Sequence, residues 1–369
     1  MPRNRFAAEW RIYCSPNDIL FVNHRLDTLI SSGATSEVWS AVRVGPHGFA
    51  QPVALKTLVP ARAQSQAHVR AFLQEARIAS HVQHRSVVQV RDLLVQEDRH
   101  WLCMELVRGW SLQQLIAALK ADGRTLPFEV AITLVREAAS GLQAIHDAGL
   151  IHRHITPSNI MVSTSGHVVV LDFGCAAWQL SEQVRFTRPM VELEPSYASP
   201  QMLCGERVDA RTDLYSLGAV LHELIFGEPP SGPPRSSRSD VPVVVKDVIT
   251  RSLERDAAAR FGSAREVEMV LDLISFRHCW PITPSYVAAY LDEVLIRTER
   301  ARLPPWPKVS VRDTDADAPA PLPPAPRVPA RTPQGRIERD PRAAMRVRAP
   351  SEASKTRVRL RRRPQTSQR

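Results

Sequence analysis

Between Leu26 and Ala54 apolar residues fall in three short runs separated by a glycine-containing turn and by Gly-Pro-His-Gly, which predicts three strands joined by tight turns. The period then lengthens. Ala67–His81 places Val69, Phe72, Leu73, Ala76 and Ala79 on one helical face. Trp101–Leu112 reads as a strand, a linker and a helix start, with Ser111 as N-cap of a helix to Ala121. Pro127 suits the opening turn of a long helix to His146 whose stripe is Val130, Leu134, Ala138, Leu142 and Ile145. Further helices are predicted at Leu214–Phe226, Val243–Glu254, Ala264–Ile274 and Pro284–Arg300, the last with an apolar stripe of Val287, Leu291, Val294 and Leu295. Residues 1–21 lack periodicity and read as a lead-in.

Composition changes this picture only at the end of the chain. Of the net charge of +10, residues 302–369 carry 17 basic and 6 acidic residues, a net +11, which leaves −1 for everything before. The basicity therefore belongs to the tail, and the pI says nothing about the folded part's partners. Residues 304–369, with 13 prolines and the run Arg357-Val-Arg-Leu-Arg-Arg-Arg363, predict a disordered segment able to meet an anionic partner. No aromatic follows Trp306, so it offers no base-stacking platform. Five scattered cysteines without a C-x-x-C pair point to a reducing cytoplasm. The N-terminus shows no signal-peptide core, and no apolar run approaches the ~18 residues of a membrane span, so a soluble, cytoplasmic protein is expected.

Several motifs carry chemistry. Ser31-Ser32-Gly33-Ala34-Thr35-Ser36-Glu37-Val38 has one glycine of a phosphate-cradling turn, where backbone N–H groups need close access. Val53-Ala54-Leu55-Lys56 follows about twenty residues later, and Glu75 sits on the next predicted helix. Ile151-His152-Arg153-His154-Ile155-Thr156-Pro157-Ser158-Asn159 precedes Asp172-Phe173-Gly174, with Asp172 thirteen residues beyond Asn159. Glu194-Pro195-Ser196-Tyr197-Ala198-Ser199-Pro200-Gln201 and Asp209-Ala-Arg-Thr-Asp213-Leu-Tyr-Ser-Leu-Gly218 complete the series. Taken in order, these motifs resemble those of protein kinases, specifically the bacterial, eukaryotic-like Ser/Thr type, over about residues 22–278.

The resemblance implies an α+β, bilobal fold: an N-lobe at 22–105, mainly antiparallel sheet with one helix, and a mainly helical C-lobe at 108–278. It implies ATP and Mg²⁺ as cofactors. Gly33, Val38 and Ala54 would enclose the nucleotide, and Lys56, paired with Glu75, would reach its phosphates. Met104 would be the gatekeeper, with backbone groups of Glu105 and Val107 at the adenine edge. Asn159 and Asp172 would hold the metal through hard oxygens. Asp213 would anchor the catalytic loop, Arg153 would meet a modified activation segment, and Thr187 is a candidate phosphosite there.

Three positions depart from the family pattern. The proton-accepting aspartate is His154, the lysine two residues on is Thr156, and the threonine that would bond both is Glu194. Groups for nucleotide and metal are thus kept, whereas groups for the acceptor hydroxyl and the moving phosphoryl are replaced. The expectation is a nucleotide-binding pseudokinase acting as scaffold or regulator, in which Glu194 accepts a hydrogen bond from a protonated His154. Two other readings stand beside it: an active Ser/Thr kinase with an unorthodox base, and a polyanion-binding protein acting through the tail. Gln201 replaces the glutamate that would pair with an arginine, for which Arg260 is the candidate, and the segment between Phe226 and Val243 is too short for the helix the family has there.

Overall fold

The computed structural model describes residues 19–21, 23–96, 98–172, 194–230, 238–281 and 283–297. Thr187, Phe173 and Gly174, and the tail at 304–369 lie outside the described residues.

The first lobe is a six-stranded antiparallel sheet ordered β1-β2-β3-β4-β6-β5. Its strands are β1 (Ile19–Phe21), β2 (His24–Ser32), β3 (Ser36–Val44), β4 (Ala50–Leu58), β5 (Val90–Gln96) and β6 (Arg99–Glu105). β1 is a correction to the sequence reading. The end of the expected lead-in pairs with β2, and three residues are too few to reveal a period. Side chains alternate across a strand, so register sorts the sheet's residues by face. Ala54 lies opposite Met104, and Lys56 lies opposite both Val38 and Leu102. These five residues therefore share one face, and Leu102 packs there with Phe72 and Ala76 of α2 (Gln66–Ala79). On the other face Leu26, Ala41, Val53, Leu55, Trp101 and Cys103 form their own cluster. The short α1 (Pro60–Ala63) leads into α2.

A second, three-stranded sheet follows: β7 (Gly109–Ser111), β8 (Ile160–Ser163) and β9 (Val168–Val170), in that order and all antiparallel. Gly109 is required by the close approach of β7 and β8, since a Cβ there would lie 2.0 Å from the carbonyl oxygen of Val162. Ser111 caps α3 (Leu112–Ala121) as expected, in a full capping box with Gln114.

The second lobe is built on α4 (Phe128–Asp147) and α6 (Arg211–Phe226). All five predicted stripe residues of α4 are fully buried. α6 is apolar nearly all round, and twelve of its sixteen residues are buried, which puts it at the centre of the lobe. α5 (Pro200–Leu203), α7 (Val243–Ser252), α8 (Ala264–His278) and α9 (Pro284–Arg297) surround this pair. Val287, Leu291 and Val294 of α9 are buried in the lobe's core, so this helix packs on the lobe. Arg238 donates to the carbonyl oxygen of Ile225 at 2.9 Å, satisfying an end of α6. None of the described helices is long and apolar enough to cross a membrane.

Candidate active site

On the face of β4 that looks toward α2, Lys56 Nζ donates to Glu75 Oε1 at 2.7 Å and to Asp172 Oδ1 at 2.7 Å. Two residues of the first lobe and one following β9 thus meet at a single buried ammonium. Burial alone would depress the Lys56 pKa, but Asp172 and Glu75 more than offset it and push it above its ordinary value. The ammonium thus faces two carboxyl groups. Burial, helped by the charge of Asp172 and opposed by Lys56, pushes Glu75 up to about 7. A carboxyl that binds its proton more tightly when folded favours the fold most at low pH, and that contribution fades as pH climbs from about 4.5 to about 7. Glu75→Gln is expected to flatten that part of the stability profile, as read by thermal midpoints across buffers. An unaltered slope would mean that Glu75 does not titrate there.

Val38, Ala54 and Met104 line the same sheet face as Lys56. Gly33 lies at the β2–β3 turn and closes it by donating to Ser36 O at 2.9 Å. A Cβ there would meet only Ser36 O, at 3.5 Å, so the fold itself makes no steric demand for glycine at this position. Glu105 N is committed to Gln89 O at 3.0 Å, and Glu105 Oε1 accepts from Gln89 N at 3.1 Å. Val107, in the linker between β6 and β7, packs its side chain on the second lobe's core.

The loop before β8 is held from below. Asp213, in the first turn of α6 and wholly buried, accepts from His152 N at 2.8 Å and Arg153 N at 2.7 Å. His146 Nε2 reaches the same carboxylate at 2.8 Å. Arg153 is thereby fixed at φ 64°, a left-handed conformation costly for a residue with a Cβ. His152 is buried, which lowers its pKa, and its ring nitrogen meets Leu171 O at 2.9 Å. The loop and the residue before Asp172 are therefore tied together.

His154 is held by Asn159. Asn159 Nδ2 donates to His154 O at 2.9 Å, which fixes which end of its amide faces the loop, and lies 3.0 Å from His154 Nδ1. Glu194, the partner expected for His154, is exposed and lines one small cleft with His154, Thr156 and Tyr197. Thr156 Oγ1 pairs with Ser158 Oγ at 2.7 Å.

The same arrangement points Asn159's remaining polar atom, the amide oxygen, away from its own hydrogen bonds. It and the Asp172 carboxylate are hard oxygen donors of the kind Mg²⁺ uses. Among the described residues no cluster of three or more His, Cys, Asp or Glu side chains is placed to hold a metal, so phosphates would have to complete such a site.

Sequence reading missed two buried groups. Glu137, on α4, accepts from Val168 N at 2.9 Å and so fixes β9, the strand that leads to Asp172. β9 is also held by the 84–88 loop through Val88 N to Val170 O at 3.0 Å and Val170 N to Ser86 O at 2.9 Å. A charged residue beside the apolar stripe of α4 was the available signal for Glu137. His146 gave none, being one polar residue at a helix end. Beyond the loop, Tyr197 donates to Glu223, and Arg260 Nη2 donates to Gln201 Oε1 at 2.7 Å.

The protein kinase domain profile matches residues 25–276. The serine/threonine-protein kinase PknA of Corynebacterium glutamicum is 31% identical over 70% of this chain and 57% of its own length. PknB of Mycobacterium leprae is 31% identical over 68% and 42%, and the tyrosine-protein kinase MasK of Myxococcus xanthus 27% over 74% and 47%. The chain thus spans about half the length of these curated relatives. The crystal structure of the Mycobacterium tuberculosis PknI kinase domain superposes with a TM-score of 0.56 at 26% identity, covering 70% of this chain and 99% of that one. A paired lysine and glutamate, a loop hung from a buried aspartate and this match over both lobes place the chain in the protein kinase family.

Proposed function

We infer that this kinase domain holds ATP with Mg²⁺ and works as a pseudokinase, regulating or scaffolding through its nucleotide-bound fold rather than transferring phosphate. One observation carries the reading: at the position of the catalytic base stands a histidine rather than a carboxylate, its Nδ1 facing the Asn159 amide nitrogen at 3.0 Å. A general base must be within hydrogen-bond reach of the proton it takes and have a vacant acceptor for it. Thr156, in place of the lysine, is neutral and turned to Ser158, so no cation from that position meets developing phosphoryl charge.

The groups for nucleotide and metal are kept by contrast. Lys56 is charged and aimed by Glu75 toward the face where Val38, Ala54 and Met104 lie, and Asn159 and Asp172 supply the oxygens for a metal. Asn159 and Asp172 would hold Mg²⁺, which would supply charge neutralisation at the phosphates, while Lys56 would meet phosphate oxygens.

Thermal denaturation with ATP and Mg²⁺ tests this. Saturation at 100 times Kd is worth about 2.7 kcal/mol, so wild-type protein should melt several degrees higher, and Lys56→Ala should lose that shift. Stoichiometric labelling of a protein substrate by pure wild-type protein, abolished by Lys56→Ala, would overturn the inactive reading. Absence of any shift would overturn the nucleotide reading. The relatives' names favour a second reading, transfer of phosphate to protein Ser or Thr, which the same labelling decides. For the tail, charge alone supports an acidic partner, and salt-sensitive binding that disappears on deleting residues 304–369 is the expected sign.

A further inference from the structure

α9 lies wholly beyond the residues matched by the kinase profile, yet it is seated on the element that carries both metal-binding positions. Asn159 directly precedes β8, and Asp172 follows β9 by two residues. The turn between these strands contains Gly166 at φ +83°. A Cβ on Gly166 would stand 1.8 Å from the carbonyl oxygen of Pro284 and 2.9 Å from Ala288 N, so the turn is pressed directly onto the first turn of α9. Val287 and Leu291 are buried in the same core cluster as Val162, Val168 and Val170 of the two strands. Thr164 N donates to Arg108 O at 2.9 Å, which ties that turn to the linker after β6 as well.

We propose that α9 is a positioning element for the nucleotide site: it braces the β8–β9 hairpin from its turn and so sets the separation of Asn159 and Asp172 at the open end. The hairpin is short and paired along its whole length, so a displacement at the turn is carried to the other end rather than absorbed. The three-stranded sheet has two outputs, the linker side through β7 and the metal side through β8 and β9. α9 touches the turn of the second, so its loosening acts first on metal-dependent binding.

The proposal rests on the nucleotide reading above, and its test separates the two. Kd is measured for ADP with Mg²⁺, for ADP with EDTA and for adenosine, well below the melting transition, in wild type, Gly166→Ala and Leu291→Ala. Val248→Ala, a core truncation on α7, serves as a control for destabilisation alone. Both α9-side variants are expected to reduce the Mg²⁺-dependent gain in ADP affinity at least fivefold and to leave adenosine within twofold, whereas Val248→Ala leaves both unchanged. If Gly166→Ala does not fold, Leu291→Ala alone decides. An unchanged Mg²⁺ gain in a variant whose 284–297 amides exchange faster would overturn the proposal. Should wild type bind no ADP, the nucleotide reading fails and amide exchange decides this one. Faster exchange at Val168 and Val170 but not in β6 then supports the brace, and unchanged exchange there overturns it.

Discussion

Asp213→Ala is expected to cost about 3–5 kcal/mol of stability, among the largest single effects available in this fold. The carboxylate is fully buried and answers two backbone N–H groups, those of His152 and Arg153, together with the His146 ring. Truncation leaves both amides without an acceptor in a place water does not reach, at about 1–3 kcal/mol each, and removes a charged acceptor besides. It also releases Arg153 from its left-handed conformation, so the loop that presents His154 would relax away from its present path. Asp213→Asn is not a mild alternative, since whichever amide end faced His152 and Arg153, one donor would oppose another. Urea denaturation monitored by tryptophan fluorescence measures the loss. An unshifted midpoint would mean that the loop is held by something other than this carboxylate.

The second large effect is a gain. Replacing His154→Asp and Thr156→Lys together should raise phosphate transfer to a protein substrate by about 10²–10⁴-fold over the wild-type background, the contribution expected of a positioned base. The groups kept on the nucleotide side are the Lys56–Glu75 pair, the amide of Asn159 held at the loop, and Asp172. Either substitution alone should recover little, because the base and the phosphoryl-stabilising cation act on one transition state and their effects do not add. Glu194 lines the same cleft and would oppose a new carboxylate at position 154, so adding Glu194→Thr should raise the rate further. Radiolabel incorporation from ATP reads the result. If the double substitution leaves the rate unchanged, the defect lies elsewhere in the site.

How much of this was legible depended on whether a residue's role is local. The Ser111 cap and the α4 stripe follow from spacing and periodicity, the Lys56–Glu75 pair from the resemblance to kinase motifs, and the structure shows each. Helix ends moved by a few residues, as with α8, which runs on to His278 rather than stopping at Ile274. The contact of Asn159 with the carbonyl and ring of His154 was not legible, because it joins two loop residues through a backbone oxygen five residues earlier. The seating of α9 against Gly166 was equally hidden, because it joins positions over a hundred residues apart through backbone atoms, which leave no mark on side-chain pattern.

The contact between Gln201 and Arg260 has a consequence for how the end of the activation segment behaves in acid. A carboxylate in that position would let go of the guanidinium once protonated and would loosen as ions accumulate in the medium. An amide oxygen has no proton to gain and little field to shield. Arg260 is further steadied by the backbone oxygens of Glu254 and Arg211 and by the ring of Tyr215. Neither acid nor salt therefore weakens this contact by protonation or by screening, as each would an ordinary ion pair.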